Sequence, residues 1–294
     1  MKGYHHLMFL WLFFCVHVHS LQAQKAGSDA AIYIYTSSPH TAFPDTGRAN
    51  GHSYDGKLYD AASHYRDSSV MIIVPRGVKK QKELSIVFWF HGWFNNIDSC
   101  NAFFQITDQF LRANKHAILV LAETSKNAPD SYGGKLEQVN MFSLLVNDVM
   151  NTLKEKKFIA RHSRPGNITL AGHSGAYRVI AYILQNGGLP VSDVLLFDAL
   201  YSQVDKFTQW IEADKQHRFV HWYTNHGGGT DEVSVDMMNG LKEKGIPFVL
   251  LEEKDANPSI LQSNRIVFVH SLREHNEVIH QPDNFMLLLQ TAAW

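Results

Sequence analysis

The stretch Ile168-Thr169-Leu170-Ala171-Gly172-His173-Ser174-Gly175-Ala176 is the most informative part of the chain. A short apolar run ends in a serine between small residues, and a helical pattern begins at once. Ala176, Val179, Ile180, Ile183 and Leu184 recur at i, i+3, i+4, i+7 and i+8, which is one face of a helix. Gly187-Gly188 and then Pro190 stop it. Strand, sharp turn carrying a serine, then helix is the geometry of a nucleophile elbow. Such a turn forces the serine into a strained backbone conformation, so the residues two before and two after must be small. Gly172 and Ala176 are small, although the pattern reads G-x-S-x-A in place of G-x-S-x-G. The competing reading of these residues alone is a serine capping an ordinary strand-to-helix turn.

Outward from the elbow, residues 31–35, 70–75, 84–90, 117–122, 194–197, 218–223, 248–251 and 266–269 read as further strands. Helical patterns alternate with them at 100–115, 136–157, 204–213 and 232–244, and a last helix begins at Phe285. Phe103, Ile106, Phe110 and Leu111 mark one buried helix face. Phe142, Leu145, Val146, Val149 and Leu153 mark another. Continuous apolar strands are buried on both faces, and alternation with helices means parallel strands joined by right-handed crossovers. The expected fold class is therefore α/β: a mostly parallel, doubly wound sheet flanked by helices. Residues 37–68 are polar and poor in aliphatics and form a long irregular excursion, of a kind that is often functional. There is no repeat or linker, so residues 24–294 read as a single domain.

Composition is that of a globular protein. The 294 residues are 45% hydrophobic and 19% charged, with a net charge of −1. So balanced a chain is not expected to bind nucleic acid or an anionic membrane surface. Residues 1–23 read as a signal peptide: Lys2, an apolar core at 7–16, and Leu21-Gln22-Ala23 before a cut at Gln24. The core is too short for a comfortable membrane span, and a retained anchor is the competing reading. Cys15 follows Leu12-Phe13-Phe14, which lacks the small residues of a lipoprotein cleavage site. The expectation is a soluble exported protein, periplasmic or secreted. The mature chain would keep one cysteine, Cys100, and hence no internal disulfide. Cys100 reads as a small hydrophobe at the start of a helix capped by Asp98 or Ser99.

Ligands in such sheets lie beyond the carboxyl ends of the strands. Three features fall there. His91-Gly92-Trp93 ends the strand at 84–90, and its glycine turn can aim a backbone N–H, that of Trp93, at a developing oxyanion. The N–H of Gly175 is the second donor. His91 itself, upstream of the serine, reads as a structural hydrogen-bonding residue. For the acid there are two candidates. Asp198 directly ends a buried apolar strand, where a carboxylate is costly without a partner. Asp231 follows the next strand but also looks like a helix N-cap. For the base, His275 sits in the loop after the last strand and His280 lies nearer the terminal helix.

Phe90-His91-Gly92-Trp93, Gly172-His173-Ser174-Gly175 and Leu196-Phe197-Asp198-Ala199 resemble the oxyanion, nucleophile and acid segments of exported bacterial esterase- and lipase-like serine hydrolases of the α/β-hydrolase superfamily. The resemblance covers nearly all of the mature length. It implies that His275 deprotonates Ser174, that Asp198 holds the imidazole, and that an acyl-enzyme forms and is released by water, with no metal or organic cofactor. The substrate would be a small-molecule or carbohydrate-linked ester. An acid at Asp198 is similar to the lipase variant of the fold; the commoner position is one strand later, which keeps Asp231 in play. Other readings compete. An amidase or peptidase would use the same residues. A non-catalytic binding protein could stack sugars on Trp89, Trp93, Trp210, Trp222 or Tyr201. A metal site at His40, His52 and His64 lacks an H-E-x-x-H pattern and cysteine partners. His64-Tyr65-Arg66-Asp67 reads as a hydrogen-bonded loop in a substrate wall.

Overall fold

The computed structural model describes residues 31–78, 81–226, 228–280 and 283–294. The signal peptide expected at 1–23 lies outside them. Nine strands form one sheet: β1 (Ala31–Ser37), β4 (Ser69–Pro75), β5 (Glu83–Phe90), β6 (Ala117–Ala122), β7 (Arg164–His173), β8 (Asp193–Phe197), β9 (Arg218–Thr224), β10 (Val249–Glu252) and β11 (Ile266–Ser271). A separate hairpin, β2 (His52–Tyr54) with β3 (Lys57–Tyr59), lies within the polar excursion. The sheet order is β1-β4-β6-β5-β7-β8-β9-β11-β10.

From β6 to β10 every pairing is parallel. The antiparallel part is the other edge, where β4 pairs antiparallel with both β1 and β6. The reason is in the connections. A parallel return needs a crossover of a dozen residues or more, usually a helix. Residues 38–68 hold a 3-10 turn at Thr46–Arg48, the hairpin and the single-turn α1 (Ala61–His64), with no helix long enough to carry such a return, and residues 76–82 are too few.

Alternate residues of each central strand enter opposite cores. Phe88 and Phe90 face the layer of α4 (Met141–Glu155), α5 (Tyr177–Asn186), α6 (Val204–Ala213) and α7 (Asp231–Glu243), which contributes Phe142, Val149, Ile180 and Phe207. Val87 and Trp89 face α2 (Ile97–Phe104), α3 (Ile106–Ala113), α8 (Pro258–Ser263) and α9 (Asn284–Gln290), which contribute Phe104, Phe110, Leu261 and Phe285. No helix among the described residues is long and apolar enough to cross a membrane.

Three expectations are corrected. The helix at 100–115 is two helices, broken where Gln105 takes the left-handed conformation at φ 53°. Its apolar spacing continues across the break, which hid it. The first of the two starts earlier than Cys100. Asn96 is the cap, accepting from the N–H groups of Asp98 and Ser99, while Ser99 Oγ accepts from Asn96 N. The helix at 136–157 begins only at Met141, after a one-turn 3-10 helix at Gly134–Glu137 and a left-handed Asn140. Finally, β10 is a half-exposed edge and not a strand buried on both faces.

Candidate active site

Ser174 follows the last residue of β7 with φ +54°. A non-glycine residue held there costs on the order of 1–3 kcal/mol, and the surrounding packing must enforce it. It does. A Cβ on Gly172 would stand 2.6 Å from Ala176 Cβ and 3.1 Å from the Phe90 carbonyl. The methyl group of Ala176 therefore fits because Gly172 has none. From the other side, a Cβ on Gly92 would stand 2.6 Å from Ser174 Cβ, so the turn after β5 is pressed directly against the elbow.

Asp198 follows β8, is wholly buried, and also has a positive φ of 43°. Its Oδ1 accepts from Thr230 Oγ1 at 2.8 Å, Thr230 N at 3.0 Å and Thr224 N at 3.3 Å. Its Oδ2 meets His275 Nδ1 at 2.5 Å. These four donors offset the desolvation of the carboxylate. Burial pushes the carboxyl upward, but the bond to and charge of His275, and then Thr230, hold it below the usual range. Asp231 is placed differently. It is the first residue of α7, half-exposed, and the capping position belongs to Thr230. The histidine contact belongs to Asp198.

His275 sits in the loop after β11, its ring between two others. His173 lies over it with centroids 4.4 Å apart and planes 34° from parallel; Tyr201 meets it edge-on at 6.3 Å. His173 Nε2 donates to the His275 carbonyl at 3.1 Å, which fixes the His173 tautomer. Burial first, and the neighbouring His275 second, push the His173 imidazole down to about 3, so it stays neutral. His280 is held elsewhere: it pairs with Asp283 in an isolated bridge, its ring edge-on to Phe103 and Phe104. No hydrogen bond joins Ser174 Oγ to His275; both residues adjoin Tyr201 instead. Catalytic contacts that are loose without substrate commonly tighten when it binds.

Ser174 opens into a cleft of about 320 Å³ lined by Trp93, Ser131, Gly175, Tyr177 and Tyr201. Trp93 Nε1 donates to Ser131 Oγ at 2.7 Å, and Tyr201 Oη donates to the Gly228 carbonyl at 2.9 Å. Tyr54 of the β2–β3 hairpin packs edge-on against Trp93 at 5.2 Å, so the excursion at 37–68 reaches the cleft rim. Behind the rim, His91 is buried. Its Nδ1 faces the Gly92 carbonyl at 2.8 Å and its Nε2 faces Glu123 Oε1 at 2.5 Å. Burial lowers this imidazole's affinity for a proton, but the Glu123 charge and hydrogen bond, with the Gly92 carbonyl, raise it above its ordinary value. Glu123 Oε2 also accepts from Ile97 N at 3.2 Å, tying the turn after β5 to the start of α2.

Neither a family model nor a curated protein sequence matches the chain. Solved structures do. FphF, a fluorophosphonate-binding serine hydrolase of Staphylococcus aureus, superposes with a TM-score of 0.52 over 90% of this chain and 98% of its own, at 12% identity. A ferulic acid esterase gives 0.52 over 89% and 98%, at 10% identity. The chain has the α/β-hydrolase fold.

Within this α/β-hydrolase fold the remaining candidates separate. His40 Nδ1 contacts Asp148 Oδ2 at 2.7 Å, His64 Nδ1 contacts the Lys126 carbonyl at 2.7 Å, and His52 lies on β2. Among the described residues no three metal-capable side chains cluster. Trp89 and Trp222 are core, and Trp210 stacks on His217 at 4.3 Å; only Trp93 and Tyr201 of the five aromatics reach the cleft. A larger groove of about 610 Å³ opens at the amino ends of β8 and β9, where Arg218 pairs with Asp193 at 3.1 Å, remote from the serine turn. The sequence reading missed Thr230, Thr224, Ser131 and Glu123. One of these carried a signal. Glu123 ends a wholly apolar strand, the same argument that singled out Asp198.

Proposed function

We propose that this protein is a serine hydrolase that cleaves acyl esters through a covalent acyl-enzyme. The observation that carries the reading is the 2.5 Å contact of His275 Nδ1 with a wholly buried, fourfold hydrogen-bonded Asp198, beside a serine held at φ +54°. With Nδ1 committed to the carboxylate, Nε2 is the basic nitrogen. His275 takes the Ser174 proton as Oγ attacks the carbonyl carbon. Asp198 stabilises the imidazolium that forms. The N–H groups of Gly175 and Trp93 receive the negative oxygen. His275 then protonates the leaving alcohol, and water attacks the acyl-enzyme by the reverse path. The compact cleft, walled by Trp93, Tyr177 and Tyr201, favours a short acyl ester. The apolar run at 7–16 behind Lys2 supports export of the enzyme.

The test is steady-state hydrolysis of p-nitrophenyl acetate. Asp198→Asn keeps a residue that tolerates the left-handed backbone but removes the charge. It is expected to lower kcat by on the order of 10⁴-fold. Ser174→Ala is expected to abolish the acyl-enzyme. A wild-type protein that is folded and inactive on a panel of esters contradicts the reading.

A further inference from the structure

We propose that Ser131 supplies a third, side-chain hydrogen bond to the tetrahedral oxyanion formed on Ser174. This rests on the serine-hydrolase reading above. An indole N–H can only donate, so at the 2.7 Å contact with Trp93 Nε1 the Ser131 hydroxyl is the acceptor. Its own proton is then directed elsewhere, and no atom among the described residues takes it. The hydroxyl lines the same cleft as Ser174 and Gly175.

Its position is close to the reacting centre. A Cβ built on Gly175 would stand 2.9 Å from Ser131 Oγ and 2.5 Å from Trp93 Cδ1. The hydroxyl and the indole that orients it therefore lie directly against the residue whose N–H is an oxyanion donor. The absence of a side chain at Gly175 is what lets them approach.

Ser131 is also held in place. The preceding Asp130 receives Arg48 through two bonds, Nε to Oδ2 at 2.6 Å and Nη2 to Oδ1 at 3.1 Å. Asp130 Oδ1 accepts from Tyr132 N at 2.9 Å, and its carbonyl accepts from Ser125 Oγ at 2.6 Å. Tyr132 Oη donates to Asp45 at 2.8 Å. A donor fixed before the reaction needs no reorganisation as charge develops, which is what makes such donors effective. No proton is transferred to or from Ser131. As Ser174 Oγ bonds to the carbonyl carbon, the π pair moves onto the carbonyl oxygen and the Ser131 O–H strengthens its bond to it. The bond relaxes when the carbonyl re-forms.

The experiment compares wild type, Ser131→Ala, Ser131→Thr and Trp93→Phe on p-nitrophenyl acetate and p-nitrophenyl butyrate. An oxyanion donor acts in the transition state of every ester, so Ser131→Ala should lower kcat on the order of 10²-fold on both substrates with KM little changed. Ser131→Thr, which keeps the hydroxyl, should restore most of the rate. Trp93→Phe keeps the backbone N–H and the ring but loses the indole donor, and should fall between. An unchanged kcat in Ser131→Ala overturns the proposal. So does a loss confined to KM, or to one of the two esters, since either marks a ground-state contact. A drop that Ser131→Thr does not rescue, accompanied by a lower unfolding midpoint in Ser131→Ala, assigns the residue to structure and overturns it too. A wild type that hydrolyses neither ester removes the underlying reading instead, so the two failures are separate results.

Discussion

At the scale of single residues, the site is built from two backbone positions that ordinary side chains avoid. Ser174 and Asp198 follow adjacent parallel strands, and both have positive φ. Each turn places a polar residue at the end of its strand, and His275, from the loop after β11, meets Asp198. Ser174 and Asp198 were legible because each directly follows an apolar strand with a residue that needs a reason to be there. Thr230 and Ser131 were not. Their contacts are with partners far away in the chain, such as the 32 residues separating Thr230 from Asp198, and neither breaks a local pattern. His173 gives a prediction at this scale. Burial keeps it neutral down to about 3, although it lies on the ring of His275. His173 therefore takes up no proton of its own in the working range. The acid limb of log kcat/KM against pH should have a slope of one. A slope of two would show that His173 protonates as well.

At the scale of elements, the turn between β5 and α2 matters most, because it carries Gly92 and Trp93. Its position is set from beneath by His91 and Glu123, each 1% exposed at the side chain, and by the bond from Ile97 N to Glu123. Breaking a buried pair by removing one charge typically costs about 3 kcal/mol or more. Glu123→Gln is expected to lower the free energy of unfolding in urea by about 3 kcal/mol, with a loss of esterase activity even where the protein remains folded. An unchanged urea midpoint would remove Glu123 from this role. The strands and the buried helix faces were legible through apolar runs and helical spacing. Boundaries were less so. The break at Gln105 preserves the apolar spacing, and α8 is only six residues long. Its start was written locally, with Asn257 capping and Pro258 in the first turn.

At the scale of the whole molecule, the two ends of the sheet are wound differently. The parallel half presents the carboxyl ends of β5, β6, β7, β8, β9 and β11 on one side, and all the site residues gather there. The antiparallel edge, β1 with β4, carries none of them. This division follows from connection length and was only partly legible, since apolar runs do not state strand direction. Stability should depend on pH through buried histidines. Burial pushes His173 down to about 3 and His221 down to about 4, from an ordinary value of 6.5. Unfolding lets both bind protons, so their contribution is complete above 6.5 and is lost as pH falls toward those values. His91 acts in the opposite sense. Its value is raised, so its contribution is complete below 6.5 and is lost as pH rises through the folded value. Below 6.5 the His91 contribution no longer changes while those of His173 and His221 decline, so the urea midpoint should fall from pH 6.5 to pH 5. A flat or rising midpoint would contradict this assignment.

On the proposed function, Ser174 is an activated nucleophile. The first test is to incubate the protein with a fluorophosphonate probe and locate the adduct by mass spectrometry, with Ser174→Ala as the control. A single adduct is expected, on Ser174, absent from the variant and much slower to form in Asp198→Asn. A folded wild-type protein that remains unlabelled, or an adduct on another serine, would contradict it.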